Sequence, residues 1–376
     1  MNRTETRRVL AVCGSCISFY IGAGFATMQE LVQYEASYGS RFPLVIAVTA
    51  LIYVYTNLSF AANGHRLQLT RGGDIYRVYG SVLGERAGIW IGKFFDLFSA
   101  LFCYMSFVVM CGGASATASQ QWGVPAGLGA GVLAALAIAT VVFGLNGIVK
   151  ALSRVGPIII AMILFVSLVT TCTGYPSLKE GMAQVDAGRY SQAMAQVGGG
   201  NPIASGASYG GFVILWFAAF IAEIGSKNDL RSVRSGMLLS TLCIFGAAAL
   251  CCTAILGHID ATAASDIPAL VLAGQISPVI AQVFAIVICA GIYTSAVPLL
   301  WTGVRAITQE GSVHYRPVTA ILGILGCLIA CLVPYKGLIN ILYGLNGYLG
   351  FLLVFLMIVH DFNKSHDSIS CRKRAG

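Results

Sequence analysis

The chain has 376 residues, of which 57% are hydrophobic and 10% are charged, and its mean hydropathy is +0.79. Because soluble proteins carry roughly 25% charged residues, this composition excludes a soluble globular protein and predicts a polytopic all-α membrane protein. The net charge of +8 does not indicate a nucleic-acid partner, because the basic residues lie in short loops between apolar segments.

Apolar segments long enough to cross a bilayer, about 20 residues each, recur ten times along the chain. We number them as spans 1 to 10 in chain order. They cover residues 9–38, 42–63, 84–119, 124–143, 152–171, 205–226, 233–256, 278–308, 318–333 and 338–360.

Span 1 contains the most informative pattern, Gly22-Ala23-Gly24 near the middle of an apolar segment. Two glycines one residue apart weaken a helix. Unwound backbone inside a membrane is tolerated only where it faces protein or a water-filled cavity. Broken helices at this depth are where secondary transporters bind solutes and ions, so the pattern predicts a binding site.

Span 6 carries a second glycine pair in Tyr209-Gly210-Gly211, which predicts a second break. Five spans followed by five, each set beginning with a broken span, is the pattern of an inverted repeat. We therefore predict one transmembrane transporter domain over residues 1–376, with a first repeat at about residues 8–171 and a second at about 205–360.

The basic residues predict the orientation. If the N-terminus is cytoplasmic, 19 of the 23 Lys and Arg residues lie on the cytoplasmic side, and the exceptions are Arg41, Lys179, Arg189 and Lys336. The positive-inside rule thus supports ten spans with both termini in the cytoplasm of a cell (inner) membrane.

Span 8 contains two adjacent hydroxyl residues, Thr294 and Ser295. Hydroxyls inside a membrane helix often donate to their own backbone, which is a purely structural role. Beside a broken span 1, they could instead supply oxygen ligands to a hard cation such as Na⁺, together with carbonyl oxygens released by the break.

The residues from Ile21 to Ala26, followed by Gln29-Glu30, resemble the first span of the YkvI-like membrane proteins. These are similar to the LeuT-fold transporters of the amino acid–polyamine–organocation superfamily. The resemblance implies a Na⁺ site between the break of span 1 and the hydroxyl pair of span 8. Its ligands would be the hydroxyls of Thr294 and Ser295 and the carbonyls of Gly291, Ser18 and Ile21.

The resemblance also implies a solute site beside the ion, with a span 3 tyrosine helping to hold a carboxylate. The residues that match this site are Gly22, Ala23, Gly24, Phe25, Tyr104, Ser208, Tyr209, Gly210, Gly211 and Phe212. Span 6 departs from the group, because a Tyr-Asn pair is expected where this chain has Ser208–Gly211, and this departure leaves the solute open.

Proton-coupled relatives place a lysine in span 5, where this chain has only Lys150 at the start and Arg154 one turn on, which favours Na⁺. Glu30 has no local cation in the sequence, and a carboxylate near a cavity is a functional candidate. We predict a role for it in an outer gate or in coupling.

The cysteines and histidines do not indicate an enzyme. Most of the 12 cysteines lie in apolar segments, and Cys13-Gly14-Ser15-Cys16 lies inside a span with no second pair. No metalloprotease, P-loop or nucleophile-elbow motif is present in the sequence.

The leading prediction is a Na⁺-coupled symporter of a small organic solute such as an amino acid, with Na⁺ as coupling ion, no other cofactor, and the lipid bilayer as its environment. The alternatives are a proton-coupled permease that uses Glu30 and a non-transporting ligand sensor related to germination receptor subunits. The sequence carries no indication of an oligomeric state.

Overall fold

The computed structural model describes residues 3–69, 73–143 and 155–374. This part of the chain is helical and contains no β-strand. The α-helices are α1 Arg3–Tyr20, α2 Ala23–Ala26, α3 Gln29–Tyr34, α4 Phe42–Leu67, α5 Asp74–Gly80, α6 Glu85–Trp122, α7 Leu128–Phe143, α8 Val155–Gly174, α9 Leu178–Asp186, α10 Pro202–Lys227, α11 Leu230–Gly257, α12 Ile259–Thr262, α13 Pro268–Ile276, α14 Pro278–Ile307, α15 Tyr315–Leu332 and α16 Tyr335–Arg374. Short 3₁₀ helices cover Ala36–Arg41, Ser81–Leu83 and Tyr175–Ser177.

Each of the ten predicted spans has a helical counterpart among the described residues. Seven helices are long and apolar enough to cross a membrane, and an eighth segment qualifies as a bent pair. The other two are the broken span 1 and span 4, whose helix α7 has 16 residues. Residues 144–154, which include Lys150 and Arg154, lie outside the described part of the chain. The protein is a multi-pass membrane protein.

Span 1 is interrupted twice. Helix α1 ends at Tyr20, and the amide of Gly22 donates to the carbonyl of Tyr20 at 2.9 Å instead of continuing the helical pattern. After the single turn of α2, Met28 adopts a left-handed backbone conformation (φ 63°) before α3 begins. The predicted break is confirmed and is centred on Gly22, whereas the interruption at Met28 was not predicted.

Span 6 is bent, but not where the sequence predicted. Helix α10 runs through Tyr209–Gly211 without interruption, and its axis bends by 54° at residue 216. The predicted position of the break was therefore wrong.

The glycines of span 6 have a different role. A Cβ atom on Gly210 would lie 2.9 Å from Cγ2 of Ile52 in α4, and one on Gly211 would lie 2.5 Å from the carbonyl oxygen of Gly347 in α16. These glycines allow two neighbouring helices to approach closely, which is the usual role of small residues between membrane helices.

The helix contacts have the two-fold pattern that an inverted repeat requires. Helix α10 (span 6) lies along α4 (span 2), and in the other repeat-related pair α1 (span 1) lies along α11 (span 7). In the same way, α6 contacts α15 and α16, while α14 contacts α7 and α8. The short helices α5 and α13 follow spans 2 and 7 and contact α6 and α14, respectively. Exchanging each span for the one five places later thus preserves these contacts.

We call the two ends of the helix bundle the N-terminal face and the loop face, after the elements that lie there. The N-terminal face contains the starts of α1 and α11, which Glu5 and Arg231 connect at 3.7 Å. The loop face contains α9, residues 187–201, α12 and α13.

The loop face is closed over α3 by hydrogen bonds. The hydroxyl of Ser205 donates to the carbonyl of Tyr34 at 2.7 Å, and the side-chain amide of Gln33 donates to the carbonyl of Lys336 at 3.2 Å. The hydroxyls of Thr27 and Tyr335 lie 3.1 Å apart. These contacts join the outer part of span 1 to spans 6 and 10.

Candidate functional site

A cavity of about 620 Å³ lies beside the break of span 1. Spans 1, 3, 5, 6 and 8 contribute to its wall. All five residues predicted as Na⁺ ligands line this cavity, and they are Ser18, Ile21, Gly291, Thr294 and Ser295. Gly22, from the predicted solute site, lines it as well.

The backbone at the break releases a carbonyl next to the cavity. In a continuous helix the amide of Gly22 would donate to the carbonyl of Ser18, but here it donates to Tyr20. The carbonyl of Ser18 therefore loses its helical donor. The hydroxyl of Thr294 donates to the carbonyl of Gly291 at 2.7 Å, which is the structural role also considered for this residue. The carbonyl oxygens of Ser18 and Gly291 and the hydroxyl oxygen of Thr294 are the kind of ligand that alkali and alkaline-earth cations prefer.

The rest of the cavity wall is mostly apolar. Phe19, Phe102, Met110, Ile159 and Leu299 contribute to it. The described lining contains no Asp, Glu, Lys or Arg side chain. The polar part of the cavity is thus concentrated around the break and the hydroxyl pair.

The cavity extends from the break toward the N-terminal face. Its span 5 residues, Gly156 and Ile159, lie at the beginning of α8, and its deepest span 8 residue, Thr302, lies near the end of α14. Both of these helix ends belong to the N-terminal face. The cavity therefore lies between the closed contacts around α3 and the N-terminal face.

A second, smaller cavity of about 30 Å³ adjoins the first. The two share Phe19, Gly22 and Met110, so they meet at the break of span 1. Glu30 and Tyr209 line the smaller one, where the hydroxyl of Tyr209 donates to Oε2 of Glu30 at 3.0 Å. Its volume is that of one or two water molecules.

Gly24 is needed because Glu30 lies against it. A Cβ atom on Gly24 would be 1.8 Å from Oε1 of Glu30 and 2.5 Å from its Cγ. Gly24 was predicted as part of the solute site. In the structure the space beside its Cα is filled by the Glu30 carboxyl group.

Several predicted solute-site residues lie elsewhere. The hydroxyl of Tyr104 donates to the carbonyl of Leu322 at 3.1 Å, and its Cβ lies against Gly303, so it lines neither cavity. Span 3 instead contributes Ser99, Phe102, Cys103 and Met110 to the large cavity.

The span 6 residues divide between two environments. Tyr209 and Phe212 line the smaller cavity, with their rings stacked at 6.1 Å. Gly210 and Gly211 face neighbouring helices, and Ser208 lies so close to Gly347 that a Cβ there would be 2.1 Å from its Oγ. Phe25 is fully buried in the core, and Ala23 lies in α2.

Sequence reasoning missed a buried aromatic cluster around the smaller cavity. The Tyr34 and Tyr209 rings stack at 4.6 Å, and the Tyr20 ring contacts Tyr53 and Tyr209 at 5.7 and 6.3 Å. It also assigned no role to Glu35, whose side chain is fully buried. The sequence does contain an indication of this cluster, because two Tyr and two Glu residues lie within residues 20–35 of an otherwise apolar span.

The fold is similar to that of a solved membrane transporter. A structure of the Eremococcus coleocola manganese transporter in complex with an aromatic bis-isothiourea substituted compound aligns with 96% of this chain and 80% of its own, at 16% identity and a TM-score of 0.55. A histidine-to-alanine mutant of that transporter aligns over the same shares at 15% identity and a TM-score of 0.54. These likenesses show that the chain shares the fold of that protein.

No protein-family model matches the chain. No curated protein matches it either. Membership in the YkvI-like group therefore stays a prediction.

Proposed function

We propose that this protein is a secondary active transporter that couples Na⁺ to the movement of a small organic solute, such as an amino acid, by alternating access. The observation that carries the proposal is the convergence of Ser18, Ile21, Gly291, Thr294 and Ser295 on one cavity beside the break of span 1. These residues come from two spans more than 250 positions apart in the chain, and each offers a hydroxyl or carbonyl oxygen as a ligand for a cation.

The cavity suits a small organic solute. Its volume of about 620 Å³ lies within the range of roughly 300–1,000 Å³ that is typical of small-molecule sites. The apolar wall would contact the carbon skeleton of the solute. Its polar groups would meet the backbone at Gly22 and the bound ion.

The position of the cavity supports alternating access. The loop face is closed by hydrogen bonds around α3, and the large cavity extends from the break toward the N-terminal face. With both termini in the cytoplasm, as the positive-inside rule favours, this is an inward-facing state in the cell membrane.

We do not propose Mn²⁺ as a substrate of this chain, although the structural neighbours are structures of a manganese transporter. Carboxylate, carbonyl and water ligands suit Mn²⁺. The described residues contain no group of three or more His, Cys, Asp or Glu side chains that could hold a metal ion.

A proton-coupled permease remains the second candidate, because Glu30 lies in the small cavity that adjoins the proposed Na⁺ site. A ligand sensor would bind the same solute without moving it. Uptake by the purified protein alone separates a transporter from a sensor.

The experiment first identifies the solute by a thermal-shift screen of amino acids and related solutes with and without Na⁺, because a bound ligand stabilises by mass action. Uptake is then measured in proteoliposomes for wild type, Thr294→Ala and Ser295→Ala. Each variant removes one oxygen of about five, so we expect a higher Na⁺ concentration for half-maximal uptake. Coupling is reciprocal, so Na⁺ should also raise solute affinity less in these variants.

Thr319→Ala is the matched control. Its hydroxyl donates to its own helix at the Tyr315 carbonyl at 2.8 Å, in α15 and outside both cavities. It should keep the wild-type Na⁺ response. Equal uptake in Na⁺-free choline buffer would overturn the Na⁺ assignment, and dependence on external pH and on Glu30 would favour the proton-coupled reading.

A further inference from the structure

Glu35 is a buried carboxyl group that the proposed Na⁺ and solute sites do not use. It lies at the junction between α3 and the 3₁₀ helix Ala36–Arg41, and its exposed fraction is 0%. It is therefore part of the segment of span 1 that closes the loop face.

Among the described residues, only one of the two carboxyl oxygens of Glu35 has a hydrogen-bond partner. The thiol of Cys252 in α11 donates to Oε2 at 3.1 Å. Oε1 is buried and has no hydrogen-bond partner among the described residues. No Lys, Arg or His side chain forms an ion pair with Glu35 in the described part of the chain.

The titratable groups that surround Glu35 are acidic or neutral. They come from α1, α3, α10 and α11, and they are Tyr20, Glu30, Tyr209, Cys251 and Cys252. Charged groups occur farther along the closed face. The Asp186 carboxylate of α9 accepts from the amide of Ser40 at 3.3 Å, and Lys336 lies 3.9 Å from Asp266.

These surroundings favour the uncharged acid. Burying an ionised carboxylate without a countercharge is far more costly than burying the neutral form, and a second carboxyl group nearby adds repulsion. A proton on Oε1 removes the unsatisfied charge at that oxygen.

We propose that Glu35 is a proton-binding site, which holds a proton while the loop face is closed and releases it to water when α3 moves away from α11 and the face opens. The carboxyl O–H bond breaks, the proton passes to water, and the carboxylate becomes hydrated. When the face closes again, the carboxylate takes a proton back from water at the same face, so each opening and closing of the loop face is linked to the release and uptake of one proton there. This inference rests on the proposed function only in requiring that the loop face opens.

The direction of the pH effect follows from linkage. The closed state binds a proton that the open state releases, so raising the pH favours opening. A single site of this kind changes the closed-to-open ratio by at most about tenfold per pH unit.

The test is hydrogen–deuterium exchange of the purified full chain, read in peptides that cover residues 29–41, at about pH 6 and about pH 9. Wild type and Glu35→Gln are compared at each pH, because the chemical rate of amide exchange then cancels. We expect equal protection near pH 6. Near pH 9 we expect wild type to exchange at least about threefold faster than the variant, which cannot ionise.

Glu85→Gln is the matched control, since the Glu85 side chain is 86% exposed and should leave the wild-type response intact. Equal exchange of wild type and Glu35→Gln at both pH values would overturn the proposal. If Glu35→Gln does not fold, wild type alone decides the question. Exchange in residues 29–41 relative to residues 315–332 must then rise between the two pH values, and an unchanged ratio refutes the site.

The outcomes separate this proposal from the proposed function. A pH-dependent opening with no Na⁺-dependent uptake would leave Glu35 as a proton site and refute only the ion assignment. Na⁺-dependent uptake with pH-independent exchange would do the reverse.

Discussion

Replacing Gly24 with alanine tests whether the Glu30 carboxyl group is held where the structure has it. The new Cβ would lie 1.8 Å from Oε1, 2.3 Å from Cδ and 2.5 Å from Cγ of Glu30, all far inside contact distance. The whole end of the Glu30 side chain must therefore move. Its hydrogen bond from Tyr209, 3.0 Å in length, is then lost.

The expected cost follows from these contacts. Losing a buried hydrogen bond costs about 1–3 kcal/mol, and forced repacking costs about 1–3 kcal/mol more. The helix preference of alanine over glycine returns about 1 kcal/mol, because position 24 lies in α2. We expect a net loss of about 1–5 kcal/mol and a fall in Tm of several degrees.

The assay is thermal unfolding of the purified protein, followed by intrinsic tryptophan fluorescence. Gly22→Ala is the steric control, because nothing lies within 4 Å of a Cβ at that position. It should unfold close to wild type, while its methyl group narrows the large cavity.

A double-mutant cycle makes the test decisive. In a Glu30→Ala background the clash is gone, so Gly24→Ala should cost little or nothing. Additive effects of the two substitutions would refute the claim that Gly24 is small because Glu30 lies against it.

Two further predictions concern packing and capping. Gly350→Ala should lower the Tm and the yield of folded protein, because its Cβ would lie 2.0 Å from the carbonyl oxygen of Gly211, whereas Gly246→Ala, with nothing within 4 Å, should not. The amide and hydroxyl of Ser232 donate to Asp229 at 3.0 and 3.1 Å, and these bonds lower the pKa of Asp229. Asp229→Ala should therefore lower the Tm at neutral pH, and the difference from wild type should shrink below about pH 4, where the Asp229 carboxylate takes up a proton. At neutral pH Asp229→Asn, which keeps an oxygen acceptor, should lower the Tm less than Asp229→Ala does, and an equal loss for both variants would contradict the capping role.

The sequence predicted the features that depend on one helix alone. The helical nature of the spans follows from apolar length. The break at Gly22 follows from glycine spacing, and both are local properties. The convergence of spans 1 and 8 on one cavity followed from a family resemblance, and periodicity alone would not have placed them together.

The errors arose where a neighbouring helix decides the outcome. A glycine pair can unwind a helix or admit a close partner, and Gly210 and Gly211 do the second because α4 and α16 approach them. Tyr104 lies one residue after Cys103, which lines the cavity, and one residue turns a helix by about 100°. Packing against neighbouring helices sets the orientation of the 38-residue helix α6 about its own axis, and this orientation decides which residues face the cavity. It could not be predicted from the sequence alone.

The unequal interruption of the two repeats has a mechanical consequence. Span 1 has two joints, at Gly22 and at Met28, while span 6 has one bend at residue 216. Between the joints and the 3₁₀ helix, α3 forms a rigid lever of 6 residues, about 9 Å long. We expect the loop face to open by a swing of this lever and the opposite face to close by a larger tilt of a nearly continuous helix. The two half-cycles would then differ in amplitude and in rate, although the architecture that carries them is built from a repeat.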